Sequence, residues 1–485
     1  MQREKELTNL RENYVFQVVP NNGQLTVSSR WVITEKMKNG TRTVKARLVA
    51  RGFEENSSNL QVDSPTCAKE SLRLLFVLCG SFSWKLHSID ISSAFLQGEK
   101  LERELYLKPP RDACSSNFVW LLKRCIYGLN DAPRSWYNKV KEVLISLGAC
   151  ISLYDYCVFL WYDTSGLLYG IVVVHVDDFA FGGNEHFHHT VILSFKQHFK
   201  VGTHDTDAFK YLGLEINQDD YGIHLNQNSY IESIQQIKIN RCRASSPNAN
   251  LNDVELHDLK RLAGQMNWVS TQTRPDLSYE VCVMCNTGKA PTIKLIKDAN
   301  RALKKLKNTS LELTFPVLGD TKSFSIIAFS DATYASLSDG SSQGAFIVFI
   351  LGADGLIAPV LWQSKKLERV TKSPLASEAS AVAEAADAAL FVSSMLCDIL
   401  KDSRMRTVHC YTDNRSLVDT LKSTKMPNDR KLRVDLSRLR EMIGRKEITL
   451  SWVDGKHQLA DCLPKRGASS DLLFETLRCS KILGY

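Results

Sequence analysis

The chain has 485 residues, of which 44% are hydrophobic and 24% charged, and this composition excludes a disordered protein. The length exceeds what one hydrophobic core usually serves, so we expect two or three domains. No apolar run approaches a membrane span and the charged start is no secretory signal, so no membrane partner is expected. The net charge of +8 suits a polyanionic partner, and the 13 scattered cysteines are expected to be reduced thiols of an intracellular protein.

The first chemically informative segment is residues 85–91, which alternate like a β-strand and carry Asp90 between two isoleucines. A short turn and a helix are expected to follow, so Asp90 taken alone would serve as a helix cap. Further along, the apolar run 171–174 leads through two residues to Asp177 and Asp178, and a second apolar run ends at two glycines. These runs predict a hairpin of buried strands with acids at its bend.

The acid pair at this bend has two interpretations. An isolated Asp-Asp pair is most often a surface turn, because Asp hydrogen-bonds its own backbone. Together with Asp90 on another strand, however, three carboxylates would meet at one edge of a sheet. Two divalent cations require such an arrangement for in-line transfer at phosphate, so the sequence predicts a metal site there.

Two breaks rich in turn residues, at 240–252 and 316–323, divide the chain into three parts. Between them, residues 256–271 and 293–306 have the periodicity of amphipathic helices. The second helix carries a row of basic residues. This row indicates either an ordinary solvated face or a surface that neutralises backbone phosphates.

The third part repeats the acidic pattern on other elements. The predicted order is a strand at 324–330 leading to Asp331, strands at 345–351 and 360–364, a helix at 374–395 with Glu378, a strand at 407–411 leading to Asp413, and a tail with Asp454 and Asp461. Each acid alone has an ordinary explanation, as a turn former, a solvated helix residue or an N-cap. Taken one at a time, these ordinary explanations are favoured, and the joint role of the acids is implied only by the resemblance given below.

Several segments together carry a family resemblance. In chain order they are residues 29–33, 45–53, 89–98 and 126–137, the Asp177-Asp178 hairpin, and residues 211–216 and 273–276. They resemble the reverse transcriptase of copia-type LTR retrotransposons, and the third part resembles the RNase H domain of the same Pol polyprotein. The resemblance covers nearly the whole chain.

This resemblance implies an α+β multidomain fold, in which a right-hand polymerase with fingers, palm and thumb precedes an RNase H-like α/β domain with a mixed five-stranded sheet. The implied domains are 1–240 for fingers and palm, 241–318 for thumb or connection helices, and 319–485 for the RNase H-like domain. The chain shows no zinc knuckle, protease motif or integrase zinc pattern, so we expect the carboxyl portion of a polyprotein or a truncated gene copy.

The implied function is an RNA-directed DNA polymerase that copies retrotransposon RNA by two-metal nucleotidyl transfer, with an RNase H activity on RNA–DNA hybrids. Each site would hold two Mg²⁺ ions, with Mn²⁺ as a substitute. The implied catalytic and metal-binding acids are Asp90, Asp177 and Asp178 in the polymerase, and Asp331, Glu378, Asp413 and Asp461 in the RNase H domain, with Asp454 as the alternative to Asp461.

Other residues receive roles from the same resemblance. Lys45, Arg47 and Arg51 are candidates to hold the triphosphate, and none is favoured over the others or over ordinary surface charge on a hairpin. Phe95 stands where the family places an aromatic gate against the ribose 2′-OH, a plain core phenylalanine being the alternative. The implied template and primer residues are Tyr127, Gly128, Pro133, His175, Leu212 and Gly213.

Two positions depart from the family pattern. His175 stands two residues before the acid pair, where the family usually has Tyr, which puts rate or fidelity in question more than activity. Asp131 stands where the family often has Gln, which adds a negative charge near the template path.

The expected partners are an RNA template, a DNA primer, RNA–DNA hybrid and deoxynucleoside triphosphates, together with a Gag particle and integrase in an intact element. The expected location is intracellular, in cytoplasmic virus-like particles, in the nucleus or in both. One alternative is a catalytically inactive retrotransposon-derived protein that only binds nucleic acid. A plain two-metal nuclease is disfavoured, because a nuclease needs neither the fingers motifs nor a nucleotide gate.

Overall fold

The computed structural model describes residues 2–483 except 39, 40, 57, 59, 115, 116, 287, 289, 338, 405 and 426. Contacts group the chain into two units, each interrupted in sequence. The first comprises Met1–Cys67, Ser88–Asp163 and Tyr169–His204, and the second comprises Ala68–His87, Thr164–Leu168 and Asp205–Tyr485. The three domains implied by the sequence, and the two boundaries between them, stay a prediction.

The described chain contains both helices and strands. Up to residue 206 they are α1 (Gln2–Glu12), β1 (Phe16–Pro20), β2 (Thr26–Lys38), β3 (Thr41–Ala50), α2 (Lys69–Ser81), β4 (His87–Ile91), β5 (Tyr106–Lys108), β6 (Phe118–Leu122), α3 (Ala132–Ser146), β7 (Cys150–Ile151), β8 (Val158–Tyr162), β9 (Leu168–His175), β10 (Asp178–Gly183), α4 (Glu185–Phe187), α5 (Leu193–His198) and β11 (Val201–Thr206). They continue with β12 (Ala208–Tyr211), β13 (Leu214–Asp219), β14 (Gly222–Asn226), α6 (Asn228–Ser233), α7 (Arg241–Ala244), α8 (Asp253–Gln272), α9 (Ser278–Cys285), α10 (Ile293–Asn308), β15 (Leu313–Pro316), β16 (Ser325–Thr333), β17 (Gln343–Leu351), β18 (Ile357–Lys366), α11 (Pro374–Leu400), β19 (Val408–Thr412), α12 (Arg415–Lys422), α13 (Arg430–Gly444), β20 (Ile448–Trp452) and α14 (Asp471–Cys479).

The first unit is built on two sheets. A five-stranded sheet has the order β1-β6-β5-β2-β3, and a six-stranded sheet has the order β11-β4-β10-β9-β8-β7. Strands β9 and β10 are the two apolar runs that flank the acid pair, and they form the predicted antiparallel hairpin. Val174 and Phe181 from this hairpin pack with Trp136 of α3 and Phe195 of α5 in one buried cluster. Helices therefore cover one face of the sheet and hold the hairpin in place.

Helices α8 and α10 form a core in the second unit, at the two segments predicted to be amphipathic. Helix α8 begins at a capping box, in which Asn252 and Glu255 each accept the other's backbone N–H at 2.9 Å. Leu259 and Met266 of α8 pack with Leu303 of α10. The prediction of both helices is confirmed.

The basic row on α10 is partly used inside the protein. Lys297 donates a hydrogen bond to the Ala244 carbonyl at 2.6 Å, and Lys305 donates one to the Ser470 hydroxyl at 3.3 Å. These contacts join α10 to α7 and to the residue before α14. The row therefore contributes to the packing of the second unit, which neither interpretation from the sequence included.

Residues 273–276, one of the family-like segments, contain a buried ion pair. The Arg274 and Asp276 side chains are 1% and 0% exposed, and they bind in a bidentate manner at 2.8 and 2.9 Å. Arg274 also donates to the Thr309 carbonyl at 2.7 Å, just beyond α10. A buried charge needs such full pairing, so this motif fixes the segment before α9 against the end of α10.

The RNase H-like part is a mixed five-stranded sheet of order β18-β17-β16-β19-β20. Strand β16 is antiparallel to β17 and parallel to β19, which is parallel to β20, so the predicted sheet is confirmed. Helix α11 packs on β16, β17 and β19 through small residues such as Ala379 and Ala386. By length and composition alone α11 is apolar enough to cross a membrane, but 56% of the window in question is buried inside the protein, as in a core helix.

Candidate active sites

The acid pair lies at the bend between β9 and β10. Val176, just before it, has a left-handed backbone with φ 58°, which a β-branched residue rarely adopts, so the chain turns sharply there. The Ile91 N–H donates to the Asp177 carbonyl at 3.0 Å and brings β4 beside the bend. The structure therefore brings Asp90 next to the Asp177-Asp178 pair, and all three acids are half-buried.

Gly202 in β11 permits a close approach to the Asp90 carboxylate. A Cβ atom at this position would lie 2.6 Å from Asp90 Oδ2 and 2.7 Å from Ser92 Oγ, so any larger residue would displace one of them. The Ser92 N–H also donates to the Lys200 carbonyl at 3.0 Å, which holds β11 against β4. Sequence reasoning missed Gly202, although a glycine inside a strand is a signal for close backbone approach.

Phe95 follows Asp90 in a short 3-10 turn at Ala94–Gln97. Its half-buried ring meets Tyr127 edge-on, with ring centroids 5.4 Å apart. The Arg47 guanidinium lies 5.1 Å from the Tyr127 ring, within cation–π range. Burial raises the pKa of Tyr127, and the Arg47 charge offsets part of this shift. Phe95 also packs against hydrophobic clusters, so its gate role stays a prediction.

The three candidate triphosphate ligands occupy different environments. Lys45 is exposed and lines an open cavity of about 860 Å³, together with Lys200 and residues 92–93. Arg47 lies on the Tyr127 ring, and Arg51 pairs with Glu54 at 3.8 Å. The cavity wall also carries Lys5 and the carboxylates of Glu4, Glu6 and Glu12, so the choice among the three candidates stays a prediction.

Most of the predicted template and primer residues lie at turns. A Cβ at Gly128, where φ is +90°, would lie 2.2 Å from the Ala50 carbonyl, so residue 128 runs tightly against the end of β3. Pro133 lies in the first turn of α3. Leu212 and Gly213 have φ 48° and 76° and form the β12–β13 turn in the second unit. Their contacts with nucleic acid stay predictions.

The two departures from the family pattern have identifiable partners. Arg103 binds Asp131 and Glu55, each at 2.6 Å. Asp131 is therefore held in an ion-pair network of one arginine and two acids, which keeps a net negative charge, and its effect on the template path stays a prediction. His175 Nδ1 lies 3.6 Å from Cys67 Sγ, and burial lowers the pKa of His175, which favours its neutral form.

The second group of acids gathers at one end of the RNase H-like sheet. Asp331 lies in β16 and Asp413 directly follows the adjacent parallel strand β19, where Phe329 pairs with Tyr411 two residues before each acid. Asp461 reaches the same point from the turn after β20. One carboxylate oxygen from each of the three acids lies within 4.8 Å of the others.

Glu378 approaches this cluster from α11. Its Oε2 atom is buried and has no hydrogen-bond partner among the described residues. Burial raises the pKa of Glu378, and the charges of Asp331 and Asp413 raise it further; burial likewise raises the pKa of Asp331. Crowded carboxylate oxygens with an unsatisfied buried atom are the hard donor set that Mg²⁺ or Mn²⁺ prefers, so the residues fit a divalent metal site.

Two further residues separate the alternatives for the last acid. Lys465 Nζ lies 3.0 Å from Asp331 Oδ2 and also forms an ion pair with Asp461. Asp454 is exposed, and its carboxylate accepts the Lys456 backbone N–H at 3.0 Å as a turn cap. The structure therefore groups Asp461, rather than Asp454, with the acidic cluster. Lys465 was not predicted from the sequence, although its position four residues after Asp461 is a spacing at which an ion pair can form.

Comparisons with known proteins agree with this geometry. Residues 13–248 match the family of reverse transcriptases (RNA-dependent DNA polymerases). The chain is 27% identical over 460 residues to the retrovirus-related Pol polyprotein from transposon RE1 of Arabidopsis thaliana, covering 90% of this chain and 30% of that protein. It is 24% identical over 502 residues to the corresponding polyprotein from transposon TNT 1-94 of Nicotiana tabacum, covering 95% and 36%. The chain thus spans about a third of these relatives.

Solved structures share the fold. A foamy viral protease-reverse transcriptase in complex with double-stranded DNA superimposes with a TM-score of 0.57 at 14% identity, covering 93% of this chain and 69% of that chain. A foamy viral protease-reverse transcriptase in complex with RNA/DNA hybrid gives 0.51 at 12% identity, covering 97% and 55%. The predicted fold class is confirmed. Residues 13–248 match the reverse transcriptase family, and most of the chain is similar to retrovirus-related Pol polyproteins of transposons.

Proposed function

We propose that the chain is an RNA-directed DNA polymerase that copies retrotransposon RNA and also cleaves the RNA strand of RNA–DNA hybrids. The proposal is carried by two separate carboxylate groups in one chain, Asp90 beside Asp177 and Asp331 with Asp413 and Asp461. A protein that only binds nucleic acid would gain nothing from the three carboxylate oxygens of Asp331, Asp413 and Asp461 within 4.8 Å, which repel both one another and phosphate. A catalytic role is therefore favoured over an inactive derivative.

The two sites would use the same metal chemistry. Mg²⁺, or Mn²⁺ in its place, supplies positive charge at the reacting phosphate and lowers the pKa of a bound hydroxyl or water. In the polymerase, Asp90, Asp177 and Asp178 would hold two ions at a spacing that the pairing of β4 with the hairpin fixes. In the RNase H-like domain, the cluster of Asp331, Asp413 and Asp461 with Glu378 would hold the ions that activate water.

Residues beside the first acids would bind and select the incoming nucleotide. The cavity of about 860 Å³ has the size for a triphosphate, and Lys45 and Lys200 would bind its phosphates from a wall that also carries Glu4, Glu6 and Glu12. Phe95, held edge-on against Tyr127, would leave no room for a 2′-hydroxyl. The chain would therefore take deoxynucleoside triphosphates.

The remaining partners and the location follow from the family. We propose an RNA template and a DNA primer as substrates and RNA–DNA hybrid as the ligand of the RNase H-like domain, in line with the nucleic acids bound by the foamy viral proteins. In an intact element the chain would act with a Gag particle and integrase, in cytoplasmic particles, in the nucleus or in both.

A primer-extension assay tests the proposal. Purified chain with an RNA template, a DNA primer, deoxynucleotides and Mg²⁺ should extend the primer and shorten a labelled RNA strand. Asp177→Asn should lower synthesis by about a thousandfold and leave cleavage intact, and Asp331→Asn should do the reverse, since each removes one ligand charge from one site. Asp220→Asn, at an exposed turn, is the matched control and should change neither activity.

Two results would contradict the proposal in different ways. Synthesis by Asp177→Asn at the wild-type rate would exclude the hairpin as the polymerase centre. Wild-type chain that retains hybrid in a mobility-shift assay but neither extends nor cleaves would instead establish the inactive binding protein.

A further inference from the structure

Lys465 places a positive charge against the acidic cluster of the RNase H-like domain. Its ammonium lies 3.0 Å from Asp331 Oδ2 and forms an ion pair with Asp461. These are two of the three acids whose oxygens converge within 4.8 Å. The ammonium therefore binds carboxylates that a divalent ion would also bind.

Two hydrogen bonds from strands of the sheet hold the backbone just before Lys465. The Ser364 hydroxyl donates to the Leu463 carbonyl at 2.7 Å, and the Thr333 hydroxyl donates to the Pro464 carbonyl at 3.1 Å. The turn is thus anchored to β18 and β16 just before the lysine. Any movement of the ammonium must come from its own four-carbon side chain, which is 33% exposed and has solvent to move into.

We propose that Lys465 is an internal counter-ion that exchanges with divalent metal. The ammonium holds Asp331 and Asp461 together against their mutual repulsion, and metal binding displaces it because a doubly charged ion interacts more strongly with the same oxygens. The released ammonium then neutralises a backbone phosphate of the hybrid at the edge of the site. Lys465 is a positioning residue, and this inference rests on the RNase H function proposed above.

If Lys465 exchanges with metal, its substitution should change metal affinity in the direction opposite to the substitution of a metal ligand. Removing a ligand weakens metal binding, whereas removing a competing cation strengthens it. The same removal destabilises the chain when no divalent ion is bound, because the acids lose their counter-charge. The two effects together distinguish a counter-ion from a residue that only supports the fold.

Binding of Mn²⁺ to the full chain without nucleic acid, followed by electron paramagnetic resonance of free Mn²⁺, measures the exchange directly. Lys465→Met should bind Mn²⁺ about fivefold to tenfold more tightly than the wild type, the value expected for losing its two ion pairs with Asp331 and Asp461. In EDTA its melting temperature should fall by about 2–4 °C. Lys465→Arg, which keeps the charge, should restore the wild-type melting temperature and most of the competition.

The matched control is Lys365→Met. Lys365 pairs with Glu384 at 2.9 Å in the same domain, away from the cluster acids, so its loss should leave Mn²⁺ affinity unchanged. A second readout uses hybrid binding in Ca²⁺. There Lys465→Met should lower affinity and reduce the slope of log affinity against log salt by about one, as for one phosphate contact.

The outcomes separate this inference from the proposed function. If the wild type and Asp331→Asn bound Mn²⁺ with the same affinity, there would be no metal site at Asp331, and the proposed RNase H function would fail with it. Wild-type chain that binds Mn²⁺ through Asp331, with Lys465→Met showing equal or weaker affinity, would overturn the exchange alone.

Discussion

The two candidate sites both rest on carboxylates, Asp90 with Asp177 and Asp178 in the first unit and the cluster of Asp331, Asp413 and Asp461 in the second, but they are built in different ways. The first takes its acids from neighbouring strands, joined where the Ile91 N–H binds the Asp177 carbonyl. The second takes them from a strand, a helix, a strand end and a turn, between Asp331 and Asp461, and adds Lys465. The geometry of the first site therefore depends on how closely neighbouring strands of one sheet approach. The geometry of the second site depends on how separate elements pack and on the charges that they bring together.

The largest expected effect concerns the packing on which the second unit depends. Arg274→Met leaves Asp276 buried without its partner, and breaking such a pair costs about 3–5 kcal/mol of unfolding free energy. Hydrogen exchange should show this loss in α8 to α10, while the β9–β10 hairpin of the first unit keeps its protection. Denaturant unfolding measures the total.

Arg261→Met provides the control for this substitution. Its pair with Asp258 is exposed, so less than about 1 kcal/mol should be lost. Equal destabilisation by the two variants would show that the Arg274 pair is no special support of the second unit.

The second prediction concerns backbone approach in the first site. Gly202→Ala places a methyl group 2.6 Å from Asp90 Oδ2, so the carboxylate must move. A shift of about 1 Å in a catalytic group costs about a hundredfold in rate, so DNA synthesis should fall by that factor while hybrid cleavage stays at the wild-type rate. Steady-state primer extension measures it.

Gly264→Ala makes the same chemical change where a Cβ meets no atom within 4 Å, and it should leave synthesis unchanged. Wild-type synthesis by Gly202→Ala would show that the first site tolerates backbone changes, and the contrast between the two sites would then disappear.

The third prediction tests what the first site selects. Phe95→Val removes the ring that meets Tyr127 and opens space at the sugar, so ribonucleotide incorporation relative to deoxynucleotide should rise about tenfold. Competitive incorporation on one template measures the ratio. Phe53→Ala, a ring that is 79% exposed in the same unit, is the control. If the ratio of ribonucleotide to deoxynucleotide incorporation did not change, Phe95 would be an ordinary core residue and would not select the sugar.

The sequence predicted much of the first site because its signals are local. Alternating apolar residues mark β4 and continuous apolar runs mark β9 and β10, and the acids lie within β4 or at the bend between β9 and β10. It could not predict Gly202 or Lys200, whose positions beside Asp90 and Ser92 depend on how β11 pairs with β4. It likewise identified Asp131 but not Arg103, because the approach of two charged side chains depends on tertiary packing.

In the second site, the sequence predicted the sheet and helix order and the acids at their ends, since the parallel pairing of β16 and β19 aligns Asp331 with Asp413. Choosing Asp461 over Asp454 required the fold of the last turn. Both acids follow β20 closely, and only three-dimensional packing turns one into the cluster and leaves the other as a cap.

The smallest expected effect concerns Glu6, whose buried carboxylate accepts the Leu48 N–H near the cations Lys45 and Arg47. At Glu6 one acid lies near two cations, whereas at Lys465 one cation lies between two acids. Burial raises the pKa of Glu6, so the folded chain holds this proton more tightly than the unfolded chain. The stabilisation is complete below the unfolded value of about 4.3 and is lost as pH rises through the folded pKa.

Glu6→Gln removes this titration. Melting temperatures of the wild type should therefore fall more steeply than those of Glu6→Gln as pH rises from about 4. Glu12→Gln, exposed on the same helix α1, should keep the wild-type slope. If melting temperature depended on pH in the same way for all three proteins, the charges of Lys45 and Arg47 would already cancel the effect of burial on the pKa of Glu6. The acid and the cations around Glu6 would then compensate one another in the folded chain, as the acids and Lys465 do in the second site.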